Sequence, residues 1–203
     1  MSQDNNEDSA LVEALHRGDP YACDEMVKRF SSRIYNVALR LTAHPNEAEE
    51  VLQETFIKAC RNAESFEGRS SLGTWLYRIA INNSLMHLRR RQTPSVSLDT
   101  TGSYGDGETE AWQLHDWYWE PESLVLTDEL RQAMDAAVET LPERLRSAFV
   151  LRDLEGLSTK EAAEALDISS SNLKVRLHRA RLLLRERLGT YFVERAPGAG
   201  GTR

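Results

Sequence analysis

Residues 158–188 read STKEAAEALDISSSNLKVRLHRARLLLRERL, and their spacing decides the fold. Ser158 followed by Glu161 matches a capping box: the serine oxygen accepts from an end amide while the glutamate reaches back to the serine amide. The pattern predicts a short helix over Thr159 to Leu166, a turn at Asp167-Ile168, and a longer helix capped by Ser169 and running to about Leu188. Ala163 is small where two such helices must cross closely, and Ile168, Leu173 and Leu177 supply apolar contacts that fix the crossing. Asp167 stands where glycine is commoner, but aspartate tolerates left-handed backbone better than most residues. This is helix-turn-helix spacing, which holds the second helix proud of the body, ready for a major groove.

On that second helix Leu173, Leu177, Ala180 and Leu184 share one face. Lys174, His178, Arg181 and Arg185 lie along an adjacent face, flanked by Arg176 and Arg179. A run of charge is usually a solvated face stabilised by side-chain pairs. Residues 169–187, however, hold 6 basic side chains against 1 acidic, so internal partners are few and DNA contact is favoured. The candidate duplex-binding set is Ser170, Ser171, Asn172, Lys174, Val175, Arg176, His178, Arg179 and Arg181. By position, Lys174, Val175 and His178 should face base edges. Arg176, Arg179 and Arg181 should grip phosphate, which anchors without reading sequence.

Charge is segregated along the rest of the chain. Residues 1–60 carry 6 basic and 11 acidic side chains (−5), residues 61–93 carry 6 and 2 (+4), residues 94–130 carry none and 9 (−9), and residues 131–203 carry 13 and 10 (+3). An acidic protein of net charge −7 with two basic islands should meet nucleic acid at two defined faces and meet something else with the remainder.

Apolar residues recur at helical spacing and no run alternates with period two, so the expected class is all-α, with two helical domains joined by an acidic flexible linker. Asp19-Pro20 reads as a cap and first helical residue, followed by a stripe of Val27, Phe30, Ile34, Val37 and Leu41. His44-Pro45 ends that helix and begins another, with Ala48, Val51, Leu52, Thr55, Phe56 and Ala59 on its apolar side. A loop at 65–71 precedes a helix whose expected buried face is Leu72, Trp75, Leu76, Ile79 and Met86, closed by Arg89, Arg90 and Arg91 where the dipole favours cations. From Thr93 to about Glu122 the pattern fades into Pro, Gly, Ser, Thr and Asp. Trp112, Trp117, Tyr118 and Trp119 interrupt it as an aromatic knot, either a turn packed on a neighbouring domain or a docking site. Beyond it, Leu130, Met134, Val138 and Leu141 share a face, Pro142 starts a further helix and Gly156 ends it.

No nucleotide-binding glycine loop, nucleophile elbow or HExxH is present, and the five histidines do not pair at ligand spacing, so neither an enzyme nor a metal or cofactor is expected. Cys23 and Cys60 lack CxxC spacing and sit in helical patterns, which makes a disulfide scaffold or a structural zinc site improbable. The acidic start and the lack of a long apolar run imply no signal peptide and no membrane insertion, hence a cytoplasmic chain.

Three segments together carry a family resemblance: AEEVLQETFIKA at 48–59, SFEGRSSLGTWLYRIAINNSLMHLRRR at 65–91, and LPERLRSAFVLRDLEGLSTKEAAEALDISSSNLKVRLHRAR at 141–181. In this order and spacing the chain resembles an extracytoplasmic-function RNA polymerase sigma factor of the minimal two-domain group. The resemblance implies a region two-like helical bundle over 1–92, a linker over 93–125, a region four-like helix-turn-helix over 126–190 and a disordered tail over 191–203. It implies that Glu49, Glu50, Gln53 and Glu54 meet the clamp helices of core RNA polymerase, although an ordinary acidic helix face would carry the same residues. It implies that Phe66, Gly68, Arg69, Ser70 and Ser71 capture a base from the melted nontemplate strand of the minus-ten element, with Arg78, Asn82 and Arg89 along the next helix. The helix-turn-helix would read the duplex minus-thirty-five element. The −9 segment would either thread the polymerase cleft as an RNA mimic or serve as a solvated tether. Members of the family commonly have an anti-sigma partner. The competing readings are a stand-alone helix-turn-helix regulator and an adaptor that imitates a sigma domain.

Overall fold

Asp19 accepts a hydrogen bond from the Tyr21 amide at 2.9 Å, and Pro20 occupies the first turn, so the long helix α2 begins where its orphan amides are satisfied. A computed structural model describes residues 2–92 and 128–195 of the chain. The expected linker, the Trp112/Trp117/Tyr118/Trp119 knot and the last residues of the tail lie outside the described residues.

Among the described residues there are eight α-helices: α1 (Ser2–His16), α2 (Pro20–Thr42), α3 (Pro45–Arg61), α4 (Leu72–Gln92), α5 (Asp128–Glu139), α6 (Glu143–Phe149), α7 (Thr159–Leu166) and α8 (Ser170–Arg195). A 3-10 turn at Ala63–Ser65 follows α3, and a π-helical turn at Val150–Leu154 extends α6. The described residues contain no strand. α8 continues to Arg195, beyond the expected end at Leu188, so residues 191–195 belong to a helix and not to a disordered tail.

α2, α3 and α4 pack pairwise into a three-helix bundle. Met26, Ile34, Val37, Val51, Leu72 and Leu76 are fully buried in it, each contributing about 1.5–3 kcal/mol of transfer free energy. Two expected core positions are corrected. Val27 is 37% exposed and Met26 takes its place, because steps of three and of four residues both reach Phe30 and the stripe can be entered one residue out of phase. Met86 is 43% exposed, because α4 is covered on two sides and buries Tyr77, Ala80, Ile81 and Ser84, which a one-stripe reading cannot anticipate. Gly73 suits this packing: a Cβ there would stand 3.3 Å from the Phe30 ring, which would have to give way slightly.

The second group is built on α8, against which α5, α6 and α7 pack. Phe149, Leu141, Leu151 and Leu173 are its fully buried side chains. The two groups also meet each other. α7 lies on α4, while α2 touches α5, α6 and the π-helical turn, so one apolar cluster runs from Leu11 to Leu188. Arg146 pins this junction, its guanidinium donating to the Leu41 carbonyl at 2.8 Å, to the Leu141 carbonyl at 3.0 Å and to the Glu139 carbonyl. The Leu41 and Glu139 carbonyls lie at the ends of α2 and α5, where intrahelical partners run out, and Leu141 lies in the turn that follows α5.

Candidate nucleic-acid interface

The helix-turn-helix forms as its sequence predicts. Glu161 donates its backbone amide to the Ser158 hydroxyl at 3.2 Å and accepts the Ser158 amide on its carboxylate at 2.9 Å. Those hydrogen bonds hold the Glu161 carboxyl below its usual range. Asp167 ends α7 in the left-handed region with φ 55°, and Ser169 caps α8 by accepting from the Asn172 amide at 3.2 Å. Ala163, Leu173 and Leu177 are buried at the crossing. This frame aims one face of α8 outward.

On that face Ser170, Ser171, Lys174, His178 and Arg179 are exposed, while Asn172, Val175 and Arg176 are partly covered. Arg176 donates to the Asn172 side chain at 2.8 Å, which sets its guanidinium along the helix. Arg181 is placed differently. It makes a two-pronged pair with Asp153 at 2.9 and 2.8 Å, and the Asp153 side chain is only 12% exposed. Arg181 thus ties α8 to the π-helical turn instead of standing beside Arg179. Sequence spacing placed Arg181 with the phosphate grippers because its partner lies 28 residues upstream.

The loop between α3 and α4 turns at Gly68, whose φ of +68° favours glycine. Phe66 is buried, its ring 5.2 Å from that of the partly exposed Trp75, and its carbonyl meets the His16 ring at 2.8 Å. Phe66 is therefore a wall and not a finger. Ser71 caps α4, accepting from the Thr74 amide at 3.1 Å. Ser70 spends its hydroxyl on the Ser71 carbonyl at 3.3 Å, and exposed Arg69 pairs with Glu67 at 2.6 Å. Along α4, Arg78, Asn82 and Arg89 are all exposed, as a shared stripe requires. Asn83 is different: it is buried and donates to the Thr55 hydroxyl at 3.1 Å while accepting from Lys58, so its place in mid-helix serves the α3–α4 contact.

On α3, Glu49, Glu50 and Gln53 are exposed and Glu54 is partly covered. Glu54 approaches the buried His87 ring at 3.3 Å and Glu50 at 3.7 Å. Sequence reading missed Ile57, which is 50% exposed and one helical repeat beyond Gln53. Its signal was available: Ile57 lies outside the apolar stripe that carries Val51, Thr55 and Phe56.

The groups meet through polar contacts that no motif announced. Glu155, with its side chain 10% exposed, accepts from Arg40 at 2.9 Å and from the Tyr77 hydroxyl at 3.4 Å. Arg78 pairs with Asp167 at 3.4 Å, so the helix-turn-helix turn occupies one cation of the α4 stripe. Burial, then Glu155, pushes the Tyr77 phenol up to about 12 and keeps it a donor. Burial also raises the Glu155 carboxyl, and Arg40 and Tyr77 only partly offset that. For an acid raised in the folded state, the stability contribution is full below its ordinary value of 4.5 and is lost as pH rises through the raised value. Glu155→Gln should therefore flatten the fall in melting temperature across that window. Thermal melts of both proteins in matched buffers from pH 4 upward, on the order of half-unit steps, would reveal this; parallel curves would contradict it.

Comparison with known proteins adds a family. The sigma-70 region 2 family model matches residues 26–93, and the sigma-70 region 4 model matches residues 131–184. The ECF RNA polymerase sigma-E factor of Haemophilus influenzae is 34% identical over 181 residues, covering 89% of this chain and 95% of that protein. The RNA polymerase sigma-H factor of Pseudomonas aeruginosa is 36% identical over 175 residues, covering 86% and 90%. Among solved structures, CnrH in complex with the cytosolic domain of CnrY is 21% identical with a TM-score of 0.65 and covers 90% of this chain and 97% of that one. The sigma factor RpoE in complex with the anti-sigma factor NepR from Bartonella quintana is 24% identical with a TM-score of 0.61, covering 83% and 98%. At those identities the two structures establish a shared fold.

Proposed function

We propose, for a chain that belongs to the extracytoplasmic-function family of RNA polymerase sigma factors, a division of its surface among polymerase, promoter duplex and melted strand. As a member of that family the protein is a promoter-directing initiation subunit, with no bond chemistry of its own. Residues 1–92 act as the region two unit, 93–125 as the linker, and the region four unit begins near residue 126. The protein works in the cytoplasm with core polymerase. Among the described residues no helix is long and apolar enough to cross a membrane.

The observation that carries this reading is the outward face of α8, where Lys174, His178 and Arg179 stand exposed on a helix held by its Ser169 cap and by a buried crossing with the capped α7. Lys174, Val175 and His178 read base edges in the major groove; Arg176 and Arg179 hold phosphates. Asn82, Arg78 and Arg89 track the melted strand along α4. Trp75 and Phe66 wall the pocket that receives an unstacked base, and Gly68 and Arg69 rim it. Ser70 and Ser71 shape that loop. Melting follows from differential affinity: bound extruded bases offset an unstacking cost of a few kcal/mol. Strand capture also requires Arg78 to exchange Asp167 for phosphate, which couples binding to separation of the two helical groups. With net charge −7 and the groups together, the free protein should bind promoter duplex weakly. An anti-sigma protein is the class of inhibitor this reading admits.

The polymerase face is Glu49, Glu50, Gln53 and Glu54, with Ile57 as an apolar anchor that a clamp surface would cover. Run-off transcription with purified core enzyme on a genomic promoter library tests the whole reading: specific transcripts should appear only when the protein is added. An adaptor would bind core enzyme yet yield none, and a stand-alone regulator would bind duplex equally well without it. Ile57→Asp should weaken core binding by about 1–2 kcal/mol, with an unchanged thermal melt because the side chain is half exposed. Unaltered affinity in a titration of labelled core enzyme would remove Ile57 from the interface.

A further inference from the structure

The expectation that Cys23 and Cys60 build no disulfide scaffold meets a fold that brings the two side by side. Cys23, in the first turns of α2, and Cys60, in the last turn of α3, are brought together with their Cα atoms 5.9 Å apart, a separation that a disulfide spans. The sequence hides this because the residues are separated by 37 positions and meet only when α2 and α3 pack antiparallel. They are the only cysteines in the chain, so neither has a competing partner within it. Both are partly buried against the core and neither is sealed from solvent. That combination, a bridge of ordinary Cα separation that solution thiols can reach, marks an exchangeable pair more than a buried structural one.

We infer that Cys23 and Cys60 form a reversible thiol–disulfide site whose closure braces the root of the Gly68 loop. It goes beyond the sigma-factor reading and does not depend on it. The ligand class is a small-molecule disulfide such as oxidised glutathione, with a dithiol reductant for the return. The first step falls to the thiolate of Cys23. That thiolate attacks glutathione disulfide and expels one glutathione thiolate. The Cys60 thiolate then attacks the mixed disulfide at the Cys23 sulfur and expels the second. The protein loses two S–H bonds and gains one S–S bond, and glutathione disulfide takes up the two electrons and two protons as two thiols. In a reducing compartment the dithiol is the resting form and the bridge reports oxidation.

The structural consequence is local. Two residues past Cys60, the Asn62 amide donates to Lys58 and Ala59, and the Ser65 and Phe66 amides bond back to Asn62 and Ala63. Phe66 is buried there and its carbonyl meets His16 of α1. A bond from Cys60 to α2 fixes the end of α3 from which this turn departs. Without it, the turn is held by short-range hydrogen bonds, the His16 contact and the burial of Ala63 and Phe66, a small set for a segment that can open locally.

The test uses the full chain equilibrated in reduced and oxidised glutathione at graded ratios. Intact mass and thiol alkylation read the bond, and hydrogen exchange reads the turn. We expect a species lighter by two hydrogens that no longer alkylates, reversed by reductant. The amides of Asn62, Ser65 and Phe66 should exchange on the order of tenfold more slowly in it. Cys23→Ser and Cys60→Ser should each exchange at the reduced rate in both buffers. The wild-type comparison stands without them should either fold poorly. Only glutathione adducts or intermolecular dimers at the oxidising end, or equal exchange in the two states, would overturn the inference.

Discussion

Lys174→Ala and His178→Ala will each change preference at particular base pairs of the minus-thirty-five element, while Arg179→Ala will weaken binding to every sequence alike. Both parts follow from where α8 points. A side chain near the start of a groove-entering helix reaches base edges, and a direct contact there is worth about 1–3 kcal/mol of discrimination, up to roughly a hundredfold. Arg179 is exposed and turned away from that edge, where a guanidinium meets phosphate. Removing it releases one fewer counterion on binding, so the slope of log affinity against log salt should become shallower by about one. The assay is holoenzyme binding to a promoter library at several salt concentrations. Arg181→Ala is the internal control. Its partner is Asp153, so its removal should lower stability and leave an unpaired, mostly buried carboxylate, with base preference unchanged. If all four variants altered the library profile in the same way, the assignment of reading and gripping side chains would fail.

What the sequence made legible was whatever depends on short-range chemistry. The capping box at Ser158, the left-handed Asp167, the Ser169 cap and the proline starts of α2 and α3 are each decided by two to four neighbouring residues, and each stands as read. The candidate site was legible to the same depth: exposed Lys174, His178, Arg179 and Asn82 follow from helical phase alone. What stayed hidden depends on long-range pairing. Glu155 has nothing in its neighbours to mark it, yet it is the mostly covered acceptor for Arg40 and Tyr77, 115 and 78 positions away. Asn83 stands beside Asn82 in the chain, yet one step around the helix turns it inward to Thr55. Phe66 and Ser71 were read as contacts, and the fold uses them first as a wall and a cap. A loop that must present a pocket needs such internal fixing, so the structural and recognition uses of these residues do not compete.

Arg146→Ala should be the most damaging single change at the junction of the two helical groups, costing about 3 kcal/mol. The guanidinium is half-buried, and that burial pushes its pKa below the ordinary arginine value, so holding the cation there is itself unfavourable. Its offset is the set of three carbonyls at Leu41 and Glu139, at the ends of α2 and α5 where intrahelical donors run out, and at Leu141 in the turn after α5. Alanine removes the cation and leaves the carbonyls to water that the packed junction admits poorly. Arg146→Lys should recover only part of the loss, because a point charge on a flexible stem cannot serve both helix ends as a planar fork does. The Leu41 bond spans the two groups while the other two lie within one, so the damage should be uneven. Urea unfolding followed by far-ultraviolet circular dichroism should separate into two transitions in the alanine variant where the wild type gives one. Once the groups part, Arg78 loses Asp167 and the α4 stripe gains a cation, so the same variant should bind single-stranded promoter DNA more tightly without core enzyme. A single, scarcely shifted transition together with unchanged strand affinity would mean that the junction is held by its apolar contacts, with Arg146 incidental to it.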